Sequence, residues 1–109
     1  MNLDLTGKIA LVTGASRGIG AAVAESLAQR GAKVIGTATS EKGAAEISAK
    51  LSALGGIGKV LNVADDNAIE ILIADIEKEF GTIAILVNNA GITRDNLLMR
   101  MKDDEWDDI

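Results

Sequence analysis

The sequence has 109 residues, 48% hydrophobic and 25% charged, with a net charge of −5, which fits one globular α/β domain over residues 1–109. An acidic chain with no basic run longer than two residues is not expected to bind nucleic acid or an anionic membrane, because both demand clustered cations. With no cysteine and no histidine, disulfides, thiolate metal sites and the commonest zinc ligand and general base are excluded, and no metal site is expected. The start, Met1 to Lys8, has no basic n-region, and no stretch is apolar enough to span a bilayer, so a cytoplasmic location is expected.

Short β-branched runs alternate with helical stretches, the pattern of βαβ units around a parallel sheet. The first run, Lys8-Ile-Ala-Leu-Val-Thr13, is apolar on both faces, as a strand covered by helices on either side should be. After a glycine-rich turn, Ile19, Val23 and Leu27 recur at helical spacing among alanines, and Arg30-Gly31 stops the helix. A second strand spans Lys33 to Thr37. Ser40 caps the next helix, whose apolar face is Ala44, Ile47, Leu51 and Leu54, and Gly55-Gly56 breaks it. A third strand is expected from Lys59 to Val63. Asp65 and Asp66 then supply negative charge at a helix start, and Ile69, Leu72, Ile73, Ile76 and Phe80 line one face up to Gly81.

The fourth strand, Ile83-Ala-Ile-Leu-Val87, runs into Asn88-Asn-Ala-Gly91. Asn96 to Met101 reads as a short helical or irregular piece, and a new helix is expected to open near Asp103. That helix has neither an apolar stripe of useful length nor a stop signal. The fourth strand is apolar like a central strand, yet no later strand is expected to cover its outer edge. Both features predict a truncated sequence.

The strongest motif is Thr13-Gly-Ala-Ser-Arg-Gly-Ile-Gly20, lying between a strand and a helix. Gly14 permits a sharp turn off the strand. Gly18 removes a side chain where a pyrophosphate approaches the backbone, and Gly20 lets the helix pack close to the sheet. The helix start then offers free N–H groups and a positive dipole end to phosphates. In the first βα unit this arrangement indicates a dinucleotide.

The end of the second strand selects which dinucleotide. An NAD site places an acid there to accept from the ribose 2′-OH, but Gly36-Thr-Ala-Thr-Ser40 contains none. Thr39 and Ser40 can donate to a 2′-phosphate, and Arg17 can supply the countercharge. The competing assignment gives the acid's role to Glu41, which a helix dipole already explains. NADP(H) is the expected cofactor.

The glycine loop at 13–20 together with Asn88-Asn-Ala-Gly91 resembles the short-chain dehydrogenase/reductase family. The stretch Gly91-Ile-Thr-Arg-Asp-Asn-Leu-Leu-Met-Arg-Met-Lys102, with Thr37-Ala-Thr39 and Leu61-Asn-Val63, looks most like its bacterial members that reduce 3-oxoacyl groups carried on acyl carrier protein. The resemblance runs from Gly7 to Trp106 and implies a Rossmann-type three-layer αβα fold with strand order 3-2-1-4. It also implies NADP(H) as cofactor, an acyl carrier protein thioester as substrate and a homotetramer when complete.

Carried over by residue, Gly14, Ser16, Arg17, Gly18, Ile19 and Gly20 would hold the pyrophosphate and adenosine ribose, with Thr39 at the 2′-phosphate. Asn62 and Val63 would flank the adenine, and Asn89, Ala90 and Gly91 would brace the cofactor. Two positions depart from the common pattern. Asn62 stands where many members have Asp, and Ala84 where Asp is common. The family's Asn, Ser, Tyr and Lys catalytic group is not expected here, since the chain has no tyrosine and the family's Asn would fall just beyond Ile109. No residue of this stretch is a catalytic candidate, and alone it is expected to bind cofactor without reducing substrate. Two alternatives stand beside this reading: another carbonyl compound as substrate, or a free-standing nucleotide-binding module. A methyltransferase-like α/β class would leave Arg17 and Asn88-Asn89 without a role.

Overall fold

The computed structural model describes residues 4–62, 65–89, 98–102 and 106–108. Four parallel strands form the body of the sheet: β1 (Ile9–Thr13), β2 (Lys33–Ala38), β3 (Ile57–Val60) and β4 (Ile83–Asn88). Their order is β3-β2-β1-β4, as expected. The crossovers are α1 (Gly18–Gln29), α2 (Glu41–Leu51) and α3 (Asp66–Glu79).

Each crossover starts and stops for a local reason. Ser40 accepts from the Gly43 backbone N–H at 3.1 Å and opens α2. Asp65 accepts from the N–H groups of Asn67 and Ala68 and opens α3. At the end of α1, Gly31 takes a φ of +103° and turns the chain into β2, a conformation that glycine adopts without a Cβ penalty.

The sheet buries both faces, and the two faces are built differently. On one, Val12, Val34, Ile85 and Val87 pack with Ala24, Leu27 and Ala28 of α1 and Ile47 and Leu51 of α2. On the other, Leu11, Ile35 and Ile83 pack with Leu72 and Ile76 of α3. Burying each of the larger aliphatic side chains contributes about 2 kcal/mol. The face expected for α3 is the observed one. In α1, however, the stripe that meets the sheet is Gly20, Ala24, Leu27 and Ala28, while Ile19 is 57% exposed. Small residues let the helix axis come close to the strands. In α2 the buried stripe ends at Leu51, and Leu54 lies on an exposed 3₁₀ turn.

Three boundaries differ from expectation. The third strand begins two residues earlier than the sequence suggested, at Ile57, and ends at Val60. It starts as soon as Gly55, at φ +83°, has reversed the chain. Gly58, a poor strand former by propensity, belongs in that strand because of α2. A Cβ on Gly58 would lie 2.1 Å from the Ala44 carbonyl oxygen and 2.9 Å from Ile47 Cβ.

The other two differences lie past β4. Leu98–Lys102, within the span expected to be helical or irregular, forms a strand (β5) antiparallel to β4, with Val87 opposite Met99. Trp106–Asp108, expected in a helix, forms a further antiparallel strand (β6). Leu98–Lys102 contains no β-branched residue, and so little local strand propensity. The open edge of β4, a row of unsatisfied N–H and C=O groups that templates pairing, outweighs that deficit, and so the edge is covered after all.

The close seat of α2 on β3 can be tested. Gly58→Ala should lower stability by about 1–3 kcal/mol, the usual cost of overpacking a filled site, read from the urea unfolding midpoint. An unchanged midpoint would contradict the close approach.

Candidate functional site

Because β1 to β4 are parallel, the segments leaving their carboxyl ends emerge along one edge of the sheet. These are the glycine loop after Thr13, the Thr39-Ser40 turn after Ala38, the Leu61-Asn62 segment after Val60, and Asn88-Asn89. Ligands of open α/β sheets collect at that edge, where the strand order reverses. Here the reversal lies between β1, which pairs with β2, and β4.

The glycine loop is fixed from both sides. From β2, the Thr37 carbonyl accepts from Ala15 N–H at 2.8 Å, and the Thr37 hydroxyl oxygen accepts from Gly14 N–H at 3.4 Å. From β4, Asn89 Nδ2 donates to the Gly14 carbonyl at 3.1 Å, and Asn89 N–H donates to Thr13 Oγ1 at 3.0 Å. The Thr13 hydroxyl lies 3.2 Å from Asn88 Oδ1, an acceptor for its proton. Gly14 and Gly18 both take positive φ, +63° and +66°. A Cβ at Gly20 would lie 2.0 Å from the Gly14 oxygen and 2.7 Å from Asn89 Nδ2. Gly20 is bare because that space holds a hydrogen bond.

The start of α1 is unlike those of α2 and α3. Its N-cap residue, Arg17, is extended and makes no side-chain cap bond, and the first turn has no acid. The leading N–H groups of α1 thus lack a side-chain cap, the condition that suits an anionic group from outside. Beside this turn lies a pocket of about 280 Å³ lined by Ser16, Arg17, Thr39, Ser40, Lys42 and Glu46, among others. Ser40 Oγ is an acceptor in the α2 cap, which leaves its hydroxyl proton to donate elsewhere. Glu41 does not line the pocket; it lies exposed in the first turn of α2.

Of the residues expected at a cofactor, the structure brings Ser16, Arg17 and Thr39 to one pocket. Gly14, Gly20 and Asn89 meet in one hydrogen-bonded cluster. Gly18 and the outward-facing Ile19 open α1 beside them. Asn62 follows β3 at the same edge, its carbonyl accepting from Asp65 N–H at 3.0 Å. Val63, Ala90 and Gly91 lie outside the described residues. Sequence reasoning missed Thr13 and Thr37 as clamps, and Lys42 and Glu46 as pocket residues. The signal for the threonines was available, since a hydroxyl at the end of a buried strand needs a partner. Lys42 and Glu46 carry no local signal that sets them apart from other charged residues on α2.

The amide of Asn89 must present its NH₂ to the Gly14 carbonyl. Asn89→Asp, nearly isosteric, would set a carboxylate oxygen against that carbonyl. It should cost about 1–3 kcal/mol, the penalty for a broken and unsatisfied bond, measured by urea unfolding. Equal stability would contradict the amide orientation.

Comparison with known proteins bears on the same residues. The family model for short chain dehydrogenase matches residues 8–109. The 3-oxoacyl-[acyl-carrier-protein] reductase FabG of Salmonella typhimurium strain LT2 is 67% identical over 107 residues, covering 98% of this chain and 43% of the relative. The FabG protein of Escherichia coli K12 matches with the same identity and coverage. That of Pseudomonas aeruginosa is 56% identical over 109 residues, with 44% of its length covered. The chain therefore spans less than half the length of these curated relatives. With a family model matched along nearly all of its residues, the chain belongs to the short-chain dehydrogenase family.

Proposed function

We propose that residues 1–109 are the NADP(H)-binding region of an enzyme that reduces 3-oxoacyl-[acyl-carrier-protein] to the 3-hydroxyacyl form in fatty-acid biosynthesis. The observation that carries the cofactor choice is the pocket beside α1, where Arg17 meets Thr39 and Ser40 and the end of β2 carries no acid. A 2′-phosphate fits that set: a guanidinium for charge and hydroxyls for donors. The substrate choice is supported by the FabG relatives, whose names specify acyl carrier protein.

The geometry suits a dinucleotide on three counts. Gly20, bare of a Cβ, seats the start of α1 against the Gly14 carbonyl, α1 begins without a side-chain cap, and Asn89 fixes the Gly14 carbonyl, which holds the turn in place. In this proposal the start of α1, from Ser16 to Gly20, takes the pyrophosphate, with Gly14 holding the turn. Asn62 and Val63 flank the adenine, and Asn89, Ala90 and Gly91 brace the cofactor beside the central strand. When bound, the nicotinamide supplies the hydride for carbonyl reduction. The chain has no tyrosine, so the family's proton donor is not among these residues. Their task is binding and orientation, and alone they turn over no substrate. The whole enzyme is proposed as a cytoplasmic homotetramer.

Isothermal titration should give a dissociation constant for NADPH at least about tenfold below that for NADH. Arg17→Ala should weaken NADPH by about 10- to 100-fold, the worth of hydrogen bonds to a charged group, and change NADH little. Equal affinity of the unaltered chain for the two nucleotides would overturn the cofactor assignment.

A further inference from the structure

Lys42 occupies a position that helix electrostatics does not favour. It is the second residue of α2, and a cation in a first turn opposes the helix dipole. Glu46, one turn on, stands C-terminal to it, the weaker order for such a pair on a helix. Yet both line the pocket that holds Arg17. Gly43 brings them there. A Cβ on Gly43 would lie 2.6 Å from Ala38 Cβ and 3.5 Å from Ser16 Cβ, so the first turn of α2 rests against the end of β2 and the glycine loop. Lys42 and Arg17 thereby reach one pocket from two different elements.

The charges decide what this pocket accepts. A phosphomonoester carries about −1.5 to −2 at neutral pH. Arg17 and Glu46 alone would cancel, leaving a neutral pocket for a doubly charged guest. Lys42 restores a net positive charge. A lysine ammonium, a mobile point charge with three donors, suits the outer oxygens of a phosphate whose inner side the planar guanidinium engages.

We propose that Lys42 is a second specificity-determining cation of this pocket, acting with Arg17 on a ribose 2′-phosphomonoester, and that Glu46 opposes the same phosphate and limits its affinity. This inference rests on the NADP(H) reading above and adds two residues to it.

The test uses the adenosine half alone, comparing adenosine 2′,5′-bisphosphate with 5′-AMP by isothermal titration. The unaltered chain should prefer the bisphosphate. Lys42→Gln should raise the bisphosphate dissociation constant about fivefold, as expected for a partly exposed charge contact, and leave 5′-AMP unchanged. Lys42→Arg should restore the preference, and Glu46→Gln should tighten the bisphosphate about twofold. Thermal midpoints equal to that of the unaltered chain would show that each variant folds. If the unaltered chain fails to discriminate the two nucleotides, the NADP(H) reading falls and this inference with it. If it discriminates but Lys42→Gln keeps the full ratio, only the assignment of Lys42 is overturned.

Discussion

The carbonyl oxygen of Gly14 is the point on which the ligand edge depends. It accepts from the Asn89 side chain at 3.1 Å, and it lies 2.0 Å from where any side chain at residue 20 would begin. One atom thus links the end of β1, the first turn of α1 and the end of β4. The carbonyl is partly buried, and such a group left without a partner costs up to about 1–3 kcal/mol, so this bond stabilises the turn as well as shaping it. The loop that results is tied to β2 through the N–H groups of Gly14 and Ala15 and to the end of β4 through its carbonyl.

Close packing carries the same constraint outward. Gly20, Ala24 and Ala28 seat α1 on the sheet. Gly58 seats β3 beneath Ala44 of α2, and Gly43 seats α2 against Ala38 and Ser16. Larger residues at these positions would lift α2 from the glycine loop and separate Lys42 and Thr39 from Arg17. The pocket of about 280 Å³ is therefore a product of backbone proximity. Its lining is mostly polar, while the close packing that forms it rests largely on alanine and glycine. Function at this edge is built from what the side chains leave out.

Much of this was legible in the residues. Alternation of β-branched runs with helical stripes predicted the βαβ units, the family resemblance implied the strand order 3-2-1-4 that is observed, and Ser40 and Asp65 were visible as residue types at helix starts. Arg17 and Thr39 were placed together from motif context, and they share a pocket. Less was legible where neighbours decide. Ile19 reads as core by spacing, yet faces outward because Gly20 and Ala24 make the closer contact. Gly58 falls just outside the strand expected from Lys59, but the backbone of α2 requires a glycine there within the strand. Leu98–Lys102 reads as helix or loop by propensity, while the edge of β4 recruits it as a strand. Thr13 and Thr37 bond to partners far away in sequence, and Lys42 and Glu46 reach the pocket only through the fold, so the partners are not legible locally.

The central claim is that the uncapped start of α1 receives a phosphorylated nucleotide through backbone N–H groups. Backbone amide NMR on the chain during titration with NADPH tests it most directly. The amides of Ser16 to Gly20 should shift most, and those opening α2 and α3, which donate to the capping side chains of Ser40 and Asp65, should shift little. Unmoved amides at 16–20 alongside saturable binding elsewhere would contradict the account.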